Sequence, residues 1–141
     1  MTAVDTIDTL QKDLEAFADW EDRYSYIISL GKHLAPYPEE QRNDAFIVKG
    51  CQSKVWLYPT FDGEKIHFVV DSDAIIVKGL AALLMNIYND RTPDEVLNVP
   101  KDFVERLGLN TALSQNRANG LASMMKQILM YAMVFKAKAT Q

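Results

Sequence analysis

Apolar residues recur at helical spacing towards both ends of this chain, but residues 55–71, VWLYPTFDGEKIHFVVD, alternate with period two. A period of 3.6 turns one stripe of a helix inward, a period of two turns one face of a strand inward, and neither pattern serves as the other. Ile66, Phe68 and Val70 fall on one face. Asp62-Gly63, between the two runs, is a hairpin signal, because glycine accepts the positive φ of a tight turn. Pro59 cannot donate to a ladder and is expected at an edge or a bulge. A short strand over Ala45–Val48 is expected alongside, so the predicted sheet is antiparallel and three-stranded.

Helices flank this sheet. Ile7, Leu10, Leu14 and Phe17 mark a first helix with Asp5 or Thr6 as its expected cap. Asp19, with Asp22 three residues on, reads as a second N-cap, and Trp20, Tyr24, Ile27, Ile28, Gly31 and Leu34 follow as one stripe that Pro36 and Pro38 should end. Beyond the hairpin, Ile76, Leu80, Leu83, Leu84 and Ile87 form a third stripe. Thr92-Pro93-Asp94-Glu95 carries a cap, Pro at N1 and Glu at N3. A short helix after Pro100 should stop at Gly108. Ser114 or Asn116 opens the last helix, whose inner face is read as Leu121, Met124, Met125, Ile128, Ala132 and Phe135, with Met124, Met125, Met130 and Met133 as core filler. With no repeat or linker, the expectation is one α+β domain over residues 1–141, helices covering one side of a small three-stranded antiparallel sheet.

Charge narrows the partners. Residues 1–100 hold 9 Lys/Arg against 17 Asp/Glu, and residues 101–141 hold 6 against 2. An acidic body with a mildly basic C-terminal segment lacks the basic face that nucleic-acid binding requires. The longest apolar run, AIIVKGLAALLMNIY, is broken by Lys78 and too short to span a bilayer, and no basic-then-apolar leader opens the chain, so a soluble, cytoplasmic protein is expected. His33 and His67, the only histidines, have no second ligand at metal spacing and read as ordinary surface or half-buried residues. Phosphate loops, dinucleotide fingerprints and nucleophile elbows are absent from the sequence.

Cys51, the only cysteine, is the remaining candidate. It lies in a small polar patch, Gly50-Cys51-Gln52-Ser53-Lys54, between two apolar runs rather than inside either. Gly50 permits unusual backbone angles, Gln52 and Ser53 are polar, and Lys49 and Lys54 flank the thiol where they could favour its thiolate. A lone intracellular cysteine is also a good small hydrophobe, and the residues alone leave the packed and the reactive readings both open.

A resemblance goes further. KGCQSKVWL at 49–57, DWEDRYSYIISLGKHL at 19–34, DSDAIIVKGLAALL at 71–84 and LSQNRANGLASM at 113–124 resemble, in family order along the chain, blocks of the SufE-type sulfur-acceptor family, partners of cysteine desulfurases in iron–sulfur cluster assembly. The resemblance implies a helix-covered three-stranded sheet shared with iron–sulfur scaffold proteins, with the cysteine on a loop beside it. It implies that Cys51 accepts persulfide sulfur from a PLP-dependent cysteine desulfurase, stimulates that enzyme, and passes sulfur to a scaffold or another acceptor. Such a chain is a carrier and activator more than a stand-alone enzyme, with no cofactor of its own. A single thiol suits a carrier and not a cluster scaffold, which needs several thiolates. Gly50, Gln52, Ser53, Asp73 and Arg117 are the expected loop or partner supports; the bland roles for the last two are N-cap and surface ion pair, and Trp56 is read as core. A paralogous acceptor feeding other sulfur pathways, a non-catalytic adaptor and a homodimer stay open.

Overall fold

The computed structural model describes residues 1–139. Its helices are α1 (Ala3–Glu15), α2 (Trp20–Gly31), α3 (Ile75–Tyr88), α4 (Pro93–Leu97), α5 (Phe103–Arg106), α6 (Leu109–Ala112) and α7 (Gln115–Ala139); between α2 and α3 the strands β1 (Val55–Phe61) and β2 (Ile66–Ser72) form an antiparallel hairpin. Asp62 Oδ1 accepts the N–H groups of Glu64 and Lys65 across the turn, and Gly63 takes φ 95°, as the Asp-Gly signal requires. In register, Val55, Leu57, Ile66, Phe68 and Val70 share the face buried under α3 and α7.

The expected third strand is a correction. Among the described residues the sheet has two strands, and Asp44–Phe46 is a 3₁₀ turn. Asn43 Oδ1 accepts the Ala45 N–H at 2.9 Å, a local bond that competes with ladder pairing. What survives of the strand is a single bridge from Ile47 to Trp56 and the bond from Val48 N to Val55 O. On the other edge the Asn89 side chain stands in for a strand, bonding both the N–H and the carbonyl of Phe68. Because those groups point away from β1, the opposed Pro59 loses no ladder bond, which is why proline is tolerated there.

Trp56 also departs from expectation. It lies on the opposite face of β1, half-buried under the guanidinium of Arg42, 4.8 Å from the ring, and Arg42 reaches Asp71 at 2.8 Å. Residues 37–46 thus cover the second face of the hairpin at Trp56, Tyr58 and Asp71, with Phe46 edge-on to Tyr58, and leave Thr60 and His67 exposed towards the turn.

The caps are mostly as read. Asp19 accepts from Asp22 N, Thr92 and Glu95 form a reciprocal capping box, and Gly108 is left-handed at φ 75°. For α1 the cap is Thr2 instead, with Asp5 at N3 returning the bond, so the helix begins before its first buried residue, Ile7. Helix α2 stops at Gly31 ahead of the prolines, its last bonds tightening to the i−3 pattern at Lys32, His33 and Leu34. There α2 crosses α3 closely: a Cβ on Gly31 would come within 3.1 Å of Gly79 N, and one on Gly79 within 2.8 Å of the Ile27 carbonyl carbon.

Candidate functional site

Cys51 sits between α3 and α7 on the loop entering β1. The loop is fixed at its far side through Lys54: Asp73 Oδ1 accepts the Lys54 N–H at 3.0 Å, Asp73 N–H donates to the Lys54 carbonyl at 3.2 Å, and Ser72 Oγ donates to the same carbonyl at 2.8 Å. Asp73 is therefore not the N-cap of α3, which starts at Ile75 without a side-chain cap. Its side chain holds the cysteine loop to the end of β2.

The near side is set by Gly50. Its φ is 92°, and a Cβ built there would lie 2.5 Å from Ser123 Oγ on α7. Both the backbone angle and the approach to α7 require glycine.

Between these two anchors the Cys51 side chain turns inward. It is half-buried, and its Sγ lies 3.6 Å from the Gly120 carbonyl, a weak S–H donor contact to α7. Gly120 and Ser123 are the contact positions against the cysteine loop that reading the residues alone missed. A glycine in the interior of a long helix signals close approach by another chain segment, and here that segment is the cysteine loop.

The thiol faces a cleft of about 360 Å³. Gln52 and Ser53 line it from the loop, Ile76, Val77 and Leu80 from α3, and Asn116, Arg117 and Leu121 from α7. The sequence-predicted residues thus converge, but unequally. Gln52 is exposed at the rim and Ser53 half-buried. Arg117 borders the cleft, yet among the described residues nothing pairs with its guanidinium; only its backbone N–H bonds, to Ser114 Oγ at 3.4 Å. It forms neither a loop latch nor an ion pair.

The electrostatics also differ from expectation. Burial pushes the Cys51 thiol above its ordinary range. Lys49 and Lys54 are exposed, and burial is the cause of the upward shift. His33 is exposed, and His67, 51% exposed, pairs with Asp90 at 2.8 Å on the far end of the hairpin, so neither histidine forms part of the cleft lining. Among the described residues no helix is long and apolar enough to cross a membrane.

The fold is similar to the solution structure of a hypothetical protein from Thermus thermophilus, 19% identical, with a TM-score of 0.77 over 94% of this chain and 96% of that one. The family comparison is more specific: residues 8–132, which span both sides of the cleft and every residue that anchors the cysteine loop, match the SufE family, described as an Fe-S metabolism associated domain. This chain belongs to the SufE family.

Proposed function

We propose that Cys51 takes up sulfane sulfur from the persulfide of a PLP-dependent cysteine desulfurase, stimulates that enzyme, and passes the sulfur to an iron–sulfur scaffold or another acceptor. The observation that carries this reading is the lone thiol of a SufE-family chain, half-buried on a loop at the edge of the core and lining an open cleft. The transfer is an exchange. The Cys51 thiolate attacks the terminal sulfur of the desulfurase persulfide, one S–S bond forms as another breaks, and the desulfurase thiolate leaves. No net oxidation occurs, and a second thiol on this chain is not needed. The proton of Cys51 must depart first, which burial opposes, so the loop opens before it reacts. At about 360 Å³, the cleft exceeds the roughly 30 Å³ a water occupies in the liquid many times over, leaving room for an added sulfur beside Cys51. A lone reduced cysteine fits a reducing, cytoplasmic setting.

The test is intact-protein mass spectrometry after incubation with a desulfurase, PLP and cysteine. Wild type should gain the mass of one sulfur atom, reversed by dithiothreitol, and Cys51→Ser should gain none and stimulate nothing. An unlabelled wild-type chain beside a persulfidated desulfurase sinks the carrier reading. Undiminished stimulation by Cys51→Ser would make this chain an adaptor.

A further inference from the structure

Helix α7 carries an apolar ridge that the core does not use. Met124 is buried, but Met130, Met133 and the adjacent Val134 are 48%, 59% and 49% exposed, so two of the four methionines expected as core filler face outward. Flexible thioethers adapt to apolar partners at little cost, and exposed apolar clusters mark interaction sites.

The ridge is flanked by two grooves that share Lys126 and Met130. One, about 450 Å³, lies against α5 at Val104 and Glu105. The other, about 730 Å³, has Lys49 and Gly50 of the cysteine loop as part of its wall. An occupant that spans both grooves therefore also touches the back of the loop that holds Cys51.

Charge selects the occupant. Helix α7 bears Arg117, Lys126, Lys136 and Lys138 and no acidic residue, in a chain of net charge −4. Lys136 engages Asp94, whereas Lys49, Lys101 and Lys126 at the grooves have no ion pair among the described residues. Asp44 and Glu105 are the acidic residues on the groove linings. A second copy meeting this face symmetrically would set its Lys126 against like charge, and one presenting its acidic body would make a heterologous contact that need not close.

We infer that the Lys126–Met130 ridge docks an amphipathic helix, apolar on one face and acidic along its flanks, belonging to the desulfurase that loads Cys51. This rests on the proposed function. Such a helix, laid along the two grooves, would meet the Lys49–Gly50 wall and bear on the glycine that sets the loop.

The experiment measures binding of a purified PLP-dependent cysteine desulfurase to wild type, Cys51→Ser, Lys126→Glu/Met130→Glu and Val4→Glu, the last an exposed apolar residue on α1. Thermal midpoints of all the unbound proteins, and Cys51 alkylation rates of those that keep the thiol, verify that each variant is folded. The ridge variant should bind at least tenfold more weakly and load sulfur slowly at low desulfurase, with loading recovering at saturation. Val4→Glu and Cys51→Ser should bind as wild type, and wild-type binding should weaken with salt more steeply than that of Lys126→Gln. Wild-type affinity in the ridge variant overturns the docking site while leaving the carrier reading intact. Wild type that neither binds nor loads overturns both. Ridge-dependent sedimentation with phosphatidylglycerol vesicles, without ridge-dependent desulfurase binding, would assign the face to a membrane surface instead.

Discussion

Replacing Asp73 with alanine should loosen the Cys51 loop without disturbing the fold. The substitution removes the acceptor of the Lys54 N–H, a 3.0 Å bond at an exposed position, and leaves the two bonds to the Lys54 carbonyl in place. A solvent-accessible hydrogen bond of this kind is worth about 0.5–1 kcal/mol net, which multiplies the population of a locally open loop by about two to five. Because Cys51 is half-buried against Gly120 when the loop is closed, its alkylation by iodoacetamide should follow that population. Pseudo-first-order time courses on the native protein should show a two- to fivefold faster rate in Asp73→Ala. Asp73→Asn keeps an amide oxygen able to accept the same bond and should stay near wild type. Both rates must be compared with the rate in urea, where the loop no longer exists. Equal alkylation of wild type and Asp73→Ala would refute the latch, as would a thermal midpoint collapse showing that Asp73 supports the fold at large.

Two further outcomes follow. The raised Cys51 pKa arises from burial, which disfavours the charged form, so alkylation of the native protein should require higher pH than in urea, and Asp73→Ala should move the profile towards the unfolded one. A native profile displaced to lower pH would mean that cationic neighbours dominate. Gly79→Ala should cost roughly 1–3 kcal/mol and several degrees of thermal midpoint, since its Cβ would press on the backbone of Ile27 where α2 and α3 cross; an unchanged midpoint would mean that the crossing can spread.

The parts of this fold that could be read from residues are those whose cause is local. The Asp62-Gly63 turn, the Asp19 cap, the Thr92 capping box and the left-handed Gly108 each depend on a few neighbouring residues. The reading failed where a distant group decides or where a side chain competes locally with the ladder. The segment at 45–48 has strand composition, but Asn43 draws Ala45 into a turn, and the Asn89 side chain closes the opposite edge of the hairpin from 21 residues away. Asp73 precedes a helix and so also resembles a cap; of the two roles left open for it, loop support and N-cap, the bond to Lys54 matches the first. Helical spacing located the inner stripe of α7 but not its width, which depends on how many elements pack around it; Met130 and Met133 lie beyond that cover. At the site, the Gly50-Cys51 pattern pointed to the loop, while Gly120, whose carbonyl meets the thiol, is 69 residues away.

On the sulfur-transfer reading, the burial of Cys51 is part of its reactivity rather than an obstacle to it. A thiol whose pKa is held low by fixed cations would be a thiolate at all times, open to oxidants and stray electrophiles. It would also be a poorer nucleophile once engaged, because intrinsic nucleophilicity falls with pKa. Cys51 is arranged the other way: the shift is upward and its cause is burial alone. Moving the loop outward removes that cause and returns the sulfur to the ordinary thiol range, where it is both ionisable and strongly nucleophilic. Loop opening is then the activation step, and no base on this chain has to be aligned with the sulfur. The residues that control the chemistry are consequently ones that never touch the transferred atom: Asp73, which holds Lys54, and Gly50, whose left-handed backbone lies against Ser123.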